Sequence, residues 1–469
     1  MHGEFPVYKV LAELSRDNLL PAILFRTSRR QCDVDIDNLA HGRSSQLLPD
    51  EQEALVREVD SIIEKYQMEP NVILKHPQYE ALVTTGGGAH HAGQLLLWRL
   101  LLEELMTRSR LRLMIATGTV AAGVDFPART VIVTAHSKRG SEGFNVLTSS
   151  EFQQMAGRAG RRGKDSVGIC LIAPSMYSDA RVFLEVSKRP PEPLRSAYFA
   201  APATVLNLLK YRNVDDLRYT VHRSLAAFLD RKSGRGLRES AAQDEAELAT
   251  KTLPRDAMKK AVKRVHRKVK EAELLEQKQD LQLEQSLQGL TALGYVEGSG
   301  LTEKGSWAAN LCTSLVLELG EAIADRLFDE LTEDEFIACV ASIAGDPHRP
   351  YFSLKSNPLK REHFKKLEAI VLRVKTSYQN PQSNGVTVLP DAALTVLTWL
   401  DSENWESFSG LLRLAGVAEG DVARLVMQTA DHLNQISRLK ETHPHLAEMA
   451  SNGRVRLLKP PLTEPVVAS

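Results

Sequence analysis

The chain has 469 residues, 43% of them apolar and 6% aromatic, and 59 Lys and Arg balance 59 Asp and Glu. That length predicts two to four domains, and that apolar content excludes a disordered chain. Zero net charge excludes a uniformly basic nucleic-acid binder, so any such function has to sit in a local basic surface.

Cys32, Cys170, Cys312 and Cys339 lie far apart and form no CxxC pair. This argues against a zinc site or a disulfide framework and for reduced thiols. The first twenty residues lack the apolar core of a signal peptide. The most apolar stretch, Leu95 to Met106, is too short to span a bilayer and is broken by Arg99, Glu103 and Glu104. The expectation is a soluble, cytoplasmic protein with no membrane partner and no metal held by its own side chains.

In chain order, short apolar runs predict buried strands at 22–25, 111–116, 130–134 and 167–172. Helical patterns separate them at about 50–65, 94–108, 149–156 and 175–187. Alternating strands and helices predict a parallel sheet covered on both faces, with ligand sites at the loops after the strand ends. Pro190, Pro191 and Pro193 cannot continue a helix and predict a domain boundary. Beyond it the pattern is almost entirely helical. Two helices are expected over 203–230, a charged helical hairpin over 234–283 and a small β-wing at Leu301 to Gly305. Helices are expected again over 311–345 and 360–445, with loops at 346–359 and 379–390. In the last long helix Val422, Leu425, Val426, Leu433, Ile436 and Leu439 recur at three- and four-residue spacing and mark a core face.

The strongest chemical signal is Gln154-Met155-Ala156-Gly157-Arg158-Ala159-Gly160-Arg161-Arg162-Gly163. Arginines three apart at the end of a helix share a face. Guanidinium groups suit the charge that develops on a transferring phosphoryl group, although Gly-Arg repeats also occur in plain nucleic-acid-binding segments. About thirty residues upstream, Ala116-Thr117-Gly118-Thr119-Val120-Ala121-Ala122-Gly123-Val124-Asp125-Phe126-Pro127 directly follows a predicted strand. Its small residues and hydroxyls suit a sugar-phosphate backbone, and Asp125 suits a ribose hydroxyl.

These two stretches resemble motifs V and VI of superfamily-two helicases, in particular the superkiller-type DExH RNA helicases that assist the exosome. Leu24 to Gln31 resembles motif IV, and Gly88-Ala89-His90-His91-Ala92-Gly93 resembles the double-histidine stretch of that branch. Thr204 to Leu209, with Ser224 and Phe228, resembles the start of the family's winged helix. Leu293-Gly294-Tyr295, Leu301 to Gly305 and Glu419-Gly420-Asp421 resemble its continuation into a C-terminal helical domain.

The resemblance implies a RecA-like second lobe over 1–188, a winged-helix domain over 189–310 with the hairpin as an insert, and a helical bundle over 311–469. It implies that Arg158 and Arg161 are arginine fingers facing ATP and that Gln154 senses the γ-phosphate. It implies that Gly123 and Asp125 touch the nucleotide. Thr117, Gly118, Thr119, Ser28 and Arg29 would hold phosphates of the bound strand. His90 and His91 would contact that strand or order their own loop. The basic stretch from Lys259 to Lys270 would touch RNA or form a solvated face.

No Gly-x-x-x-x-Gly-Lys-Ser/Thr occurs in the 469 residues. Nor is there a DExH box in context, because Asp244-Glu245-Ala246-Glu247 lies in a charged helical region with no strand before it. The phosphate cradle and the Mg²⁺ ligands are therefore expected on a first lobe, supplied in cis or in trans. The reading is the C-terminal half of an ATP-dependent 3′-to-5′ RNA helicase. It would act on single-stranded RNA, with DNA as second choice, within an RNA-decay or RNA-processing complex, and would not hydrolyse ATP without that lobe. The rival is a non-catalytic nucleic-acid- or protein-binding module.

Overall fold

The computed structural model describes residues 6–42, 46–121, 126–140, 143–173, 178–196, 198, 200–250, 254–352, 360–377 and 385–463. The first part runs α1 (Val7–Arg16), β1 (Ala22–Arg26), α2 (Arg29–His41), α3 (Pro49–Lys65), α4 (Pro70–Leu74), α5 (Tyr79–Thr85), β2 (Gly87–His90), α6 (Leu96–Thr107) and β3 (Leu113–Thr117). It continues through β4 (Thr130–Val133), β5 (Ser137–Gly140), β6 (Gly143–Val146), α7 (Ser149–Ala156), β7 (Ile169–Ile172) and α8 (Ala180–Lys188).

Five strands form one parallel sheet in the order β2-β3-β1-β4-β7. Successive side chains of a strand point to opposite faces. Ile23, Phe25, Met114, Ala116, Val131 and Val133 accordingly pack on one side with Trp98, Leu101, Leu105, Phe152 and Phe183. Ala22, Leu24, Leu113, Ile115 and Ile132 pack on the other with Leu11, Ile36 and Leu39. Burial on both faces is why these strands read as continuous apolar runs.

The expected strands at 22–25, 111–116, 130–134 and 167–172 appear with ends shifted by one or two residues. The sheet also has a strand the sequence hides. Gly87–His90, expected as part of a Gly-rich loop, is the edge strand β2, paired Gly87 to Leu113 and His90 to Ala116. It carries no β-branched residue, and packing forms it in place of propensity. The short β5–β6 hairpin was not expected either. The expected helix at 175–187 is seen as α8, and residues 174–177 lie outside the described residues.

The second part is helical. It comprises α9 (Pro202–Leu209), α10 (Val214–His222), the long pair α11 (Leu225–Thr250) and α12 (Arg255–Ala292), a two-stranded wing β8 (Val296–Glu297) and β9 (Gly300–Leu301), and α13 (Glu303–Ala308). Then follow α14 (Val316–Ala324), α15 (Glu333–Ala344), α16 (Arg361–Ser377), α17 (Pro390–Asp401), α18 (Trp405–Leu414), α19 (Glu419–Ile436) and α20 (Pro444–Leu457). The hairpin is longer than the expected 234–283, because α11 begins at Leu225 and α12 reaches Ala292. One buried core runs from Val205 and Leu206 through Leu283, Leu287, Leu290, Tyr295 and Trp307 to Val422, Leu433 and Leu462. The expected boundary near residue 310 falls inside this continuous core. Of the expected loops, residues 353–359 and 378–384 lie outside the described residues.

Candidate functional site

Because β1, β2 and β3 are neighbours and parallel, the loops after them share one edge of the sheet. That edge gathers Ser28, His90, His91, Thr117, Gly118 and Thr119. Ser28 is the N-cap of α2 and accepts a hydrogen bond from the Gln31 backbone N–H at 3.2 Å. Thr117 and Thr119 pair through their hydroxyls at 3.0 Å. Gly118 and Thr119 are exposed on a single 3-10 turn, Gly118–Ala121. Gly123 and Asp125 lie outside the described residues.

Helix α7 carries Gln154 and opens on a capping box in which the Thr148 and Glu151 side chains each bond the other's backbone N–H. A second cap comes from the proline-rich segment. The Glu192 carboxylate accepts from the N–H groups of Ser149 and Ser150 at 2.8 and 2.9 Å. The Ser150 side chain, followed by the backbone amides around it, holds Glu192 down to about 2. The expected boundary segment is therefore docked on the start of α7.

Past α7 the chain turns back on the sheet. Gly160, at φ +91°, donates to the Ala128 carbonyl at 2.7 Å, and Ala128 donates to the Arg158 carbonyl at 2.9 Å. A side chain at Gly160 would be strained there. The Arg158 guanidinium donates through Nε and Nη2 to the Ala121 carbonyl at 3.1 and 2.7 Å. Motifs V and VI thus touch. Arg161 forms a two-pronged pair with Asp165, at 2.8 Å from Nε and 2.9 Å from Nη2, and its backbone N–H adds a third bond at 2.9 Å. That pairing holds the Asp165 carboxyl down to about 2. A cleft of about 130 Å³ is lined by Arg26, Thr27, Gly118, Ala121 and Gln154 among others, so residues of all three motifs share one wall.

The histidines are buried. His90 donates from Nε2 to Glu103 Oε1 at 2.6 Å. His91 Nδ1 accepts from the Gly93 backbone N–H at 3.2 Å, which leaves Nε2–H to donate to Asp33 Oδ1 at 3.0 Å. The same Asp33 oxygen accepts from Gln78 and Gln94 at 2.8 and 3.0 Å. His76 joins this network through Gln94 Oε1 at 3.0 Å and stacks on Trp98 at 3.7 Å. Burial pushes the His76 ring down to about 3.

Arg29 leaves the edge altogether. Its Nη1 donates to both carboxylate oxygens of Asp421 in α19, at 2.8 and 2.7 Å. Beside it the Gly420 N–H donates to the Gly93 carbonyl at 2.9 Å. The double-histidine loop and the first turn of α19 are thereby joined.

The structure brings Gln154, Thr117, Gly118, Thr119 and Ser28 around one cleft and edge. It turns the polar ends of Arg29, His90 and His91 toward carboxylates of the chain itself. Sequence reasoning missed Asp33, Asp165 and Glu192, which belong to no motif, and placed Asp421 only in the opening turn of the last long helix; only folding brings Asp421 to Arg29. Asp244 of the false DExH match sits on α11, where Lys268 donates to it at 2.7 Å. Among the described residues no cluster of His, Cys, Asp and Glu could hold a metal ion, and no helix is long and apolar enough to cross a membrane.

Residues 298–463 match the family model of the DSHCT (NUC185) domain. This covers β9 of the wing, the helices after it and the α19 turn that meets Gly93. The chain is homologous to DExH-box RNA helicases of the superkiller and exosome-cofactor type. The exosome RNA helicase MTR4 of Homo sapiens is 29% identical over 258 residues, which are 54% of this chain and 24% of that protein. The chloroplastic DExH-box ATP-dependent RNA helicase DExH15 of Arabidopsis thaliana is 34% identical over 200 residues, 42% of this chain and 16% of that protein. The probable helicase HelY of Mycobacterium tuberculosis is 30% identical over 230 residues, 49% of this chain and 25% of that protein. The matches thus span about a sixth to a quarter of the length of these relatives.

Proposed function

We propose that these residues form the second half of an ATP-dependent RNA helicase's nucleotide site, together with its strand-contact edge. The observation that carries the reading is the cleft where Arg26 and Thr27, Gly118 and Ala121, and Gln154 meet, with Arg158 bonded to Ala121 beside it. Such an arrangement lets a change at the phosphates pass through Arg158 to the segment carrying Thr117 and Thr119.

In this reading Arg158 and Arg161 stabilise charge on the transferring phosphoryl group and Gln154 senses it. Arginines in that role are worth about 10³ to 10⁵ in rate. ATP, with its Mg²⁺, supplies the energy of lobe closure, and the phosphate cradle lies on a first RecA-like lobe. Ser28, Thr117, Gly118 and Thr119 hold phosphates of single-stranded RNA through hydroxyls and backbone amides. His90 and His91, being buried, position that edge. Arg29 acts through Asp421 to fix the edge to α19. Gly123 and Asp125 are assigned to the nucleotide on the motif alone.

In the complete enzyme, Arg158→Ala is expected to lower RNA-stimulated ATP turnover at least about 10³-fold while leaving RNA affinity within a few-fold. Unchanged turnover would overturn the assignment. A purely RNA-binding module is the second reading, favoured by the lack of a phosphate-cradle sequence in these residues. It predicts that turnover is absent from every assembly containing the chain.

A further inference from the structure

The hairpin α11–α12 carries a feature that the proposed nucleotide site and strand-contact edge do not use. Residues 255–270, at the start of α12, contain eight basic residues and one acidic residue; residues 271–292 of the same helix contain five acidic and one basic. Charge is sorted along the helix. Val265 and Ala272 are buried against α11, whereas Lys259, Lys260, Lys263, Arg267 and Lys270 are exposed. At 100° per residue these five fall on the side opposite Val265 and Ala272.

Two of the other three cations, Arg264 and Lys268, are used within the hairpin. Lys268 donates to Asp244 and to the Ser240 hydroxyl at 2.7 and 2.9 Å, and Arg264 lies 3.5 Å from Asp244. The five exposed cations have no ion pair among the described residues. Among the described residues no hydrogen bond or ion pair joins residues 255–270 to the sheet unit either.

Such an arrangement works against the helix that bears it. Lys259 and Lys263, and Lys263 and Arg267, are like charges four apart, each pair destabilising by a few tenths of a kcal/mol. Opposite charges at that spacing would be more stable. A row of unpaired cations about 16 Å long fits a polyanion whose charges also repeat along a line. A phosphate backbone has that property, with one charge per about 3.4 Å of each duplex strand.

We infer that the exposed face of α12 from Lys259 to Lys270 is a second nucleic-acid contact, which grips the phosphate backbone of RNA outside the strand-contact edge. It rests on the reading that the chain engages RNA, but not on the arginine assignment. The side chains act as point charges, so the contact carries little sequence preference and is salt-sensitive.

The test replaces all five with glutamine (K259Q, K260Q, K263Q, R267Q, K270Q) in the full chain. A second variant replaces the four lysines with arginine. Binding of a 30-nucleotide single-stranded RNA is followed across a salt series. The glutamine variant should stay as helical as the parent, lose at least about tenfold in affinity at low salt, and show a log–log salt slope shallower by about 2 to 3.5. The arginine variant should bind like the parent. Equal affinity and slope in the glutamine variant would overturn the inference, as would failure of the parent to bind RNA at all. Parent binding to poly-glutamate as tight as to RNA would assign the face to an acidic protein and overturn it too. The ATP-site reading is judged separately, by turnover in Arg158→Ala.

Discussion

Arg29, at the first position of α2, donates through one nitrogen to both carboxylate oxygens of Asp421, at the third position of α19. The Asp421 side chain is 5% exposed and that of Arg29 24%. One ion pair therefore ties a helix that follows a sheet strand to a helix of the bundle. Removing either partner strands the other charge in a poorly solvated place. Arg29→Ala and Asp421→Ala are each expected to destabilise by about 3 kcal/mol, and the double variant by clearly less than their sum. Arg349, 3.7 Å from Asp421, softens the loss when Arg29 goes. Denaturant unfolding of the four proteins of the cycle measures this; strict additivity would refute the coupling.

Gly420 makes the neighbouring contact. A Cβ there would sit 2.5 Å from the carbonyl oxygens of both Ala92 and Gln94. Backbone cannot yield as a flexible side chain can. Gly420→Ala should therefore destabilise the junction by about 1–3 kcal/mol, although alanine is the better helix former by nearly 1 kcal/mol. Hydrogen exchange should show the loss at 91–95 and in the first turn of α19. A variant as stable as the parent would contradict the packing described.

Much of this was legible in advance. The strands at 22–25, 111–116 and 130–134 announced themselves because burial on both faces makes them continuous runs, whereas β7 is exposed at Cys170 and Leu171 and was legible from its apolar residues alone. Motifs V and VI were legible because glycines and arginines at fixed spacing have few other uses. The strand Gly87–His90 was not, because its residues are small and lie where Leu39 and Leu102 leave no room for more. Asp165 and Glu192, and the pairing of Asp421 with Arg29, were illegible for another reason: the partner of a single acidic residue is fixed only by the fold. The two histidines were seen but not their burial, which follows from β2 and from Asp33 beneath the loop.

Glu318 lines a cavity of about 660 Å³ with Thr313, Val371, Lys375 and others. Burial pushes its carboxyl up to about 7. In the unfolded chain it ionises near about 4.3. Between those values the folded protein keeps a proton that the unfolded chain has released, so stability falls as pH rises through this window and stays lower above it. Glu318→Gln removes the loss. The variant should match the parent at pH 4 and exceed it at pH 8 by up to about 3 kcal/mol. A stability difference that does not grow from pH 5 to pH 8 would refute the buried ionisation.

If Arg158 and Arg161 serve an ATP site whose phosphate cradle lies on another lobe, as proposed, this chain cannot hydrolyse ATP by itself. ATP turnover by the purified chain, with and without single-stranded RNA, tests it most directly. RNA binding with no turnover above buffer is expected in either case. RNA-stimulated turnover by these 469 residues alone would contradict it, because ATP and metal would then be held by groups within the chain.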